Sequence, residues 1–387
     1  MPGEIIYLDH AAATPLHPKV QAAMLPFFSD EFFNPSSPYA AAVNVRSQYE
    51  AAKQTIARTI GAKADDIIIT AGATESINLA FTCVGPEGHV VTSSIEHHAV
   101  LASASRFSHS LAAPNSTGLV SSSAVQALIQ PNTQLVSVAL ANNELGTIQP
   151  IREISAIIQN ERLNRRQNGN KAPIYLHCDA SQGFGLIDVN VARLGVDFLT
   201  ISASKIYGPK QVALLWAASS ASLRPVIVGG GQERGLRSGT ENVAGVIGFA
   251  KALQIASEHR NSEAKRLSAL RDEMQNSLLA AFPAAVVSGN TKHRLAGYLH
   301  ISFPGIDAER ILFMLEEKGV CVATGSACAA NKGTRSHVLT AIGLAPEVAD
   351  GSLRITLGRL TNADNTKKAT SLLIECLNTE YNRVNKL

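Results

Sequence analysis

The stretch ITAGATESINLA, residues 69–80, joins the end of an apolar strand to the start of a helix through Gly-Ala-Thr. A strand that passes directly into a helix is typical of α/β proteins. Glycine allows close approach of the backbone to a ligand, and the first N–H groups of a helix attract anions. The stretch therefore predicts an α/β fold with a phosphate-sized anion site, to which the Thr74 hydroxyl adds a donor. An ordinary capped helix start remains the alternative.

The same alternation extends from about residue 66 to residue 217. Short apolar runs lie at residues 67–70, 89–94, 135–140, 173–178, 197–202 and 212–217. Helix-like segments such as REISAIIQNERLNRR separate them. Strands that are apolar on consecutive positions are covered on both faces, which favours a mostly parallel mixed sheet between helices. Ligands of such sheets bind beyond the strand ends.

A second, smaller domain is predicted toward the carboxyl end. Residues near 240–280 have long helical periodicity, and the strand-like runs YLHISF and RITL follow. A chain of 387 residues is long enough for two domains. We predict a large domain over residues 15–258 and a small α/β domain over residues 259–387, with residues 1–14 packing back against it.

Composition and charge narrow the function classes. The chain is 45% hydrophobic and 17% charged, which is the ordinary range for globular proteins. Its net charge is only +3, and it has no Lys/Arg stripe with interleaved aromatic residues, so nucleic acid is not an expected partner. No apolar run reaches the ~18 residues of a membrane helix, and MPGEIIYLDH is unlike a secretory signal. We therefore predict a cytoplasmic protein without a membrane partner.

The cysteines favour neither a disulfide framework nor a structural metal, because they are odd in number and scattered. Three of them sit in apolar runs and are expected to be small core residues: Cys83, Cys178 and Cys376. Cys321, in the apolar run GVCVA, is also interpreted as structural. Cys328 lies in ATGSACAANKGTRSH, whose small and polar residues indicate a loop. An exposed thiol there is the candidate nucleophile.

Two further runs carry candidate chemistry. LHCDASQG, residues 176–183, is an apolar strand that ends in Asp179, where a carboxylate usually faces the ligand crevice. A helix N-cap role for Asp179 remains open. LTISASKIYGPK, residues 199–210, places Lys205 just after a strand. In a dry site a lysine amine loses its proton and forms Schiff bases, although surface lysines are commoner.

Eight ordered motifs carry a family resemblance. They are GATES, EHHAV, NNELG, DASQG, SASKIYGPK, GGGQERGLRSGTEN, GSAC and LRITLGRLT. Their order and spacing resemble the cysteine desulfurases of the NifS/IscS kind, and the similarity extends from YLDHAAATP to the last helices. The resemblance implies a fold-type I enzyme that depends on pyridoxal phosphate. It also implies a homodimer with both active sites at the subunit interface.

The resemblance assigns four residues to the cofactor ring. Lys205 matches the Schiff-base lysine, and Asp179 matches the partner that keeps the pyridinium nitrogen protonated. Gln182 matches the partner of the ring hydroxyl, and His97 matches the stacked histidine, which is a plausible acid or base. Without the motif, His97 would be interpreted as a packing or surface residue. We interpret His98 as structural.

Other matched residues are expected to bind the phosphate and the substrate. Ala73, Thr74 and Ser202 match phosphate ligands, and Thr240 matches a phosphate contact donated by the partner subunit. Ser204 stands where the family usually has a phosphate-binding histidine, so we predict weaker cofactor retention.

Three residues are expected on the substrate side. Arg354, in LRITLGR, matches the arginine that grips the substrate carboxylate and is favoured over Arg359. Asn143 matches a residue against cofactor and carboxylate, with a simple Asn142-Asn143 turn as the alternative. Asn34 matches a substrate-side loop residue.

The implied activity converts L-cysteine to L-alanine. Cys328 would take the sulfur as a persulfide and pass it to an acceptor protein that serves iron–sulfur cluster assembly or tRNA thiolation. Two alternatives remain at this point. One is another fold-type I enzyme, a selenocysteine lyase or a class V aminotransferase, and the other is an inactive scaffold or persulfide-binding partner.

Overall fold

The computed structural model describes residues 5–324 and 335–384. The strands are β1 (Ile6–Tyr7), β2 (Ile67–Thr70), β3 (His89–Ser93), β4 (Ser108–Ala112), β5 (Thr133–Ser137), β6 (Tyr175–Asp179), β7 (Phe198–Ser202), β8 (Ala213–Ala217), β9 (Val286–Ser288), β10 (Tyr298–Ser302), β11 (Val320–Cys321), β12 (Ala323–Thr324) and β13 (Ser352–Thr356). The helices are α1 (Pro18–Met24), α2 (Pro26–Ser29), α3 (Ala40–Thr59), α4 (Ala73–Phe81), α5 (His98–Ala104), α6 (Ser122–Gln126), α7 (Ile151–Gln167), α8 (Val191–Leu194), α9 (Val243–Ala281), α10 (Ala308–Glu317), α11 (His337–Ala341), α12 (Pro346–Ala349) and α13 (Ala363–Val384). Within the described ranges, no helix is long and apolar enough to cross a membrane.

A seven-stranded mixed sheet forms the larger part of the molecule, in the order β2-β8-β7-β6-β5-β3-β4. Strands β4, β3, β5, β6 and β7 are parallel, whereas β8 is antiparallel to both of its neighbours. Strands β2, β3, β7 and β8 are buried along their whole length, as expected for a sheet covered on both faces. The predicted α/β fold with a mostly parallel sheet is confirmed.

A smaller antiparallel sheet, in the order β12-β13-β10-β9, follows toward the carboxyl end. The predicted strand-like runs YLHISF and RITL are β10 and β13, which pair with His300 opposite Arg354. The amino-terminal segment joins this region, because β1 pairs with β11 and Leu8 lies in the same apolar core. Ile6 and Tyr7 thus pair with residues that come more than 300 positions later in the chain.

Helix α9 links the two apolar cores. Its first part contributes Phe249 and Leu253 to the core beneath the large sheet. Its last part contributes Leu267 and Met274 to the core beneath the small sheet. No residue of this helix between 254 and 266 is buried. The predicted domain boundary after residue 258 falls in that interval and stays a prediction.

Candidate active site

A cavity of about 690 Å³, called the first cavity here, lies at the carboxyl edge of the large sheet. Segments that follow β2, β3, β5, β6 and β7 contribute to its lining, because all five strands end at this edge. The predicted site residues among its lining are Ala73, Thr74, His97, Asn143, Asp179, Gln182, Ser202, Ser204, Lys205 and Arg354. The fold thus gathers into one place side chains that are far apart in sequence.

Lys205 ends a short 3-10 turn, Ala203–Lys205, that follows β7 directly. Its Nζ donates hydrogen bonds to the carbonyl oxygens of Ala11 at 2.9 Å and Ala12 at 2.5 Å. The same turn holds the amino-terminal segment in place, since the N–H and the hydroxyl of Thr14 both donate to the Ser204 carbonyl. The lysine amine is therefore positioned at the wall of the first cavity by backbone carbonyl groups.

Asp179 is the last residue of β6, and its Oδ1 accepts a hydrogen bond from the Ser181 N–H at 3.0 Å. No helix begins after it, so the alternative role as a helix N-cap does not apply. His177, two residues earlier on the same face of the strand, is fully buried between the hydroxyls of Ser137 and Thr200. Burial lowers the pKa of His177 to about 4, so its ring is neutral near pH 7.

His97 lies at the start of helix α5, where its Nδ1 accepts a hydrogen bond from the Ala99 N–H at 3.1 Å. This contact leaves Nε2 as the protonated nitrogen of a neutral ring. Burial lowers the pKa of His97, although Asp179 opposes that shift. A neutral imidazole suits stacking and proton exchange near pH 7.

Gln182 is fixed by two contacts at the boundary between the two sheets. Its Nε2 donates to the Ala11 carbonyl at 3.1 Å, and its Oε1 accepts from the Tyr298 hydroxyl. Tyr298 begins β10 and is buried, which raises the pKa of its hydroxyl. The side-chain amide of Gln182 therefore has a defined orientation.

Helix α4 begins in the lining of the first cavity, with Ala73 and Thr74 in its first turn. Gly72 occupies the N-cap position at φ +112°, a conformation that favours glycine, and it supplies no side-chain cap. Thr74, Ser202 and Ser204 add hydroxyl groups to the lining, and the two serine oxygens lie 3.0 Å apart. A helix N-terminus with three hydroxyls suits a phosphate group.

Arg354 supplies a positive charge at another wall. It is buried on β13, where Nη2 contacts Asp9 Oδ1 at 2.7 Å and Nη1 donates to the Asn143 carbonyl at 3.2 Å. Its Nε has no hydrogen-bond partner among the residues that the structure describes. Arg359 is exposed and does not line this cavity. The predicted turn at Asn142 is present, because its Oδ1 accepts hydrogen bonds from the N–H groups of Glu144 and Leu145. Asn143 nevertheless lines the cavity.

Comparison with known proteins identifies the protein family. A profile of the aminotransferase class-V family matches residues 6–368. The cysteine desulfurase IscS of Dictyoglomus turgidum is 40% identical over 378 residues, which are 95% of this chain and 93% of that relative. The chain belongs to the aminotransferase class-V family.

Solved structures agree with this assignment. A NifS-like protein superposes with a TM-score of 0.88 at 31% identity, covering 97% of this chain and 100% of the other. SspA, solved in complex with cysteine, superposes with a TM-score of 0.77 at 33% identity, covering 91% of this chain and 98% of SspA. The resemblance to the cysteine desulfurase branch of the class-V family, inferred from the sequence motifs, is confirmed.

Two predicted residues, Asn34 and Thr240, lie elsewhere than in the lining of the first cavity. Asn34 is exposed between α2 and α3, where its Oδ1 accepts from the Ser36 N–H at 2.9 Å. Thr240 is exposed just before α9, and its predicted role is to contact the cofactor phosphate in the partner subunit's site. Cys328 lies outside the described residues. The roles of all three stay predictions.

Two buried glutamates beside the site, Glu96 and Glu144, were not predicted from the sequence. Glu96 accepts hydrogen bonds from Ser93 Oγ and the Ala139 N–H, and Glu144 Oε2 accepts from Ser336 Oγ at 2.5 Å. Burial raises the pKa of each carboxyl to about 7. Glu96 is adjacent in sequence to His97, and Glu144 is adjacent to Asn143. This adjacency to residues of the matched motifs is the feature of the sequence that could have identified the two acids.

Proposed function

We propose that this protein is a cysteine desulfurase that uses pyridoxal phosphate and Cys328 to convert L-cysteine into L-alanine and a protein-bound sulfur atom. One observation carries the proposal. Lys205, Asp179 and Arg354 all line the first cavity, so an amine, a carboxylate and a carboxylate-binding guanidinium meet around one ligand-sized space.

The residues present fit pyridoxal phosphate. The hydroxyls of Thr74, Ser202 and Ser204 with the start of α4 would hold its phosphate, and Asp179 would hold its ring nitrogen. Lys205 would hold its aldehyde carbon. When bound, this cofactor supplies an electron sink for the bonds of the substrate α-carbon. The volume of about 690 Å³ is ample for both the cofactor and an amino acid.

The residues of the chain supply binding and proton transfer. Arg354 binds the substrate carboxylate with its planar guanidinium, which Asp9 and the Asn143 carbonyl hold in place. Lys205 takes the proton from the substrate α-carbon, since its amine is the base already positioned at this wall. His97, as a neutral imidazole, is available to exchange a proton near the departing sulfur.

The sulfur step requires a thiolate, and Cys328 is our candidate. Burial raises the pKa of all four cysteines in the described part of the chain: Cys83, Cys178, Cys321 and Cys376. A raised pKa makes a thiol a poor nucleophile. The substrate C–S bond breaks with its electron pair left on carbon, which takes a proton to give alanine. The sulfur forms an S–S bond with Cys328.

Mass spectrometry after exposure to L-cysteine tests this assignment. We expect one added sulfur, on Cys328, which a reductant such as dithiothreitol releases as sulfide with alanine in equal amount. Cys328→Ser should abolish the added sulfur, whereas the matched variant Cys321→Ser should keep it. Amino-group transfer to a keto acid without sulfide would replace the proposal by an aminotransferase activity. Sulfur carried on Cys321 would contradict the role of Cys328.

We also propose a cytoplasmic homodimer that delivers the persulfide to an acceptor protein of iron–sulfur cluster assembly or tRNA thiolation. The exposed position of Thr240 supports the dimer, since a residue at the surface can reach the phosphate site of another subunit. Light scattering of the purified protein should give twice the mass of 40.9 kDa. A monomer with full activity would contradict the proposed role of Thr240.

A further inference from the structure

A second cavity, of about 300 Å³, adjoins the first cavity at Lys205. It reaches from the exposed middle of helix α9, at His259 and Ser262, inward to His10. Ala11, Gln182 and Lys205 line both cavities. The desulfurase chemistry proposed above uses none of the other residues around this second cavity. Pockets of this size at the junction of two cores commonly bind small molecules.

His10 forms the inner end of the second cavity and is only 6% exposed. Its Nδ1 lies 3.0 Å from the Thr356 carbonyl oxygen, and since a carbonyl can only accept, Nδ1 carries the proton. Burial lowers the pKa of His10, which keeps the ring neutral. Nε2 is then a bare acceptor, and it has no partner among the described residues. A buried acceptor without a donor is costly, so this atom indicates a missing hydrogen-bond donor.

Tyr207 offers the complementary donor. Its hydroxyl accepts from the Arg359 N–H at 2.5 Å, which leaves its own proton available. Its backbone is held in the left-handed region, at φ +61°, by a bond from its N–H to Thr14 Oγ1 at 2.7 Å. Gly358 makes room for both rings, because a Cβ there would lie 2.3 Å from His10 Cδ2 and from the Tyr207 hydroxyl.

The remaining walls define the rest of the ligand. Most are apolar: Phe184, Leu186, Ile206, Ala252, Ile255 and Leu267. The acid at the mouth, Glu263, is already paired with Arg266 through contacts of 2.6 and 3.0 Å. Two cations, Lys205 and Arg359, also line the cavity. The apolar walls and the unpaired acceptor on His10 favour an uncharged ligand that has a proton to donate. An ionised carboxylate would bring no proton to His10 Nε2.

We propose that the second cavity binds a small uncharged molecule with an apolar body and one hydroxyl group, of the phenol class. The ligand hydroxyl donates to His10 Nε2 and accepts from the Tyr207 hydroxyl, while the apolar body packs against Phe184 and the face of α9. Because Lys205 and Gln182 line both cavities, the bound molecule lies next to residues that also form the wall of the first cavity.

Fluorine NMR with three matched probes tests the chemistry of the site. The probes are 4-fluorophenol, fluorobenzene and 4-fluorobenzoate, each titrated into the purified protein with its cofactor and without L-cysteine. We expect 4-fluorophenol to bind about tenfold more tightly than fluorobenzene, which lacks the donor. We expect no binding of 4-fluorobenzoate. Equal affinity for the three probes would overturn the proposal.

Two variants and one matched control locate the binding. Ala256→Phe places a phenyl ring in the second cavity from a half-buried position on α9, and it should reduce the affinity for 4-fluorophenol by at least about tenfold. The neighbouring Ser257→Phe, on the same helix but outside the lining, is the matched control and should bind normally. His10→Phe should bring 4-fluorophenol down to the affinity of fluorobenzene. Unchanged binding to Ala256→Phe would overturn the site, and because no turnover is measured, that result is separate from the fate of the desulfurase proposal.

Discussion

Arg354 Nη2 lies 2.7 Å from Asp9 Oδ1, so a guanidinium from the small sheet is paired with a carboxylate from the amino-terminal segment. Both side chains are largely buried, and the Asn143 carbonyl accepts from the other terminal nitrogen of the arginine. The Nε of Arg354 has no partner in the described part of the chain. The pair therefore orients a guanidinium that still has capacity to bind a carboxylate at the first cavity.

Replacing the guanidinium should impair substrate binding. Arg354→Lys keeps the charge but loses the planar donor pair, and we expect kcat/KM for L-cysteine to fall by about 100-fold, mainly through KM. Steady-state alanine formation measures this loss. Arg359→Lys is the comparison, because Arg359 is the nearby exposed arginine. A loss that follows Arg359 and spares Arg354 would show that the carboxylate site is assigned to the wrong arginine.

Asp9 acts as a positioning residue in this scheme, because it contacts Arg354 and does not line the first cavity. Asp9→Asn should raise KM by about tenfold while kcat changes little, because the guanidinium loses its charged partner. Asp9→Glu should recover part of the affinity. Thermal unfolding should be recorded in parallel, since a buried unpaired charge also lowers stability. A fall in kcat at constant KM would contradict the positioning role.

Ser204 should control retention of the cofactor. Its hydroxyl lies 3.0 Å from Ser202 Oγ, and both serines line the first cavity. Ser204→Ala should raise the dissociation constant for pyridoxal phosphate by about tenfold, and Ser204→His should lower it severalfold, because a charged donor binds phosphate more strongly. Absorbance titration of the cofactor-free protein measures both values. Equal dissociation constants for the three proteins would exclude Ser204 from the phosphate site.

Glu144 should make stability depend on pH. Burial raises its pKa to about 7, from about 4.3 in an unfolded chain, so between these values the folded protein binds the extra proton. This contribution to stability is complete below the unfolded pKa and is lost as the pH rises through the folded one. The melting temperature of the wild type should therefore fall, relative to that of Glu144→Gln, between pH 5.5 and pH 8. The exposed Glu87→Gln is the control and should follow the wild type at both pH values. Parallel curves for Glu144→Gln would mean that Glu144 is ionised throughout this range.

The sequence predicted the large sheet well because its strands are apolar on consecutive positions. Each of the six apolar runs contains part of a strand, from β2 to β8. The strand that escaped prediction is β4, at the edge of the sheet, where Ser108, His109 and Leu111 are exposed. An edge strand covered on one side keeps polar residues, so it carries little of the apolar signal.

Contiguous motifs at the ends of adjacent strands singled out Lys205 and Asp179, and both line the first cavity, while their roles stay predictions. Prediction from the sequence missed Asp9 and Tyr298, whose contacts depend on the packing of distant segments. Asp9 lies 345 positions from Arg354, and Tyr298 lies 116 positions from Gln182. A local sequence pattern does not predict which residue from a distant segment will form a hydrogen bond with a given side chain. Such residues become visible only when the two sheets are brought together.

Helix α9 is 39 residues long and is anchored at both ends in different apolar cores, with no buried side chain from residue 254 to 266. The apolar side chains in its middle, Ile255, Ala256 and Ala264, are only partly buried, so we expect its central amides to be less protected from solvent than those at its ends. Deuterium should enter this middle segment well before either end. A tilt of the small sheet relative to the large one would then bend α9 in this middle segment, close to the mouth of the second cavity.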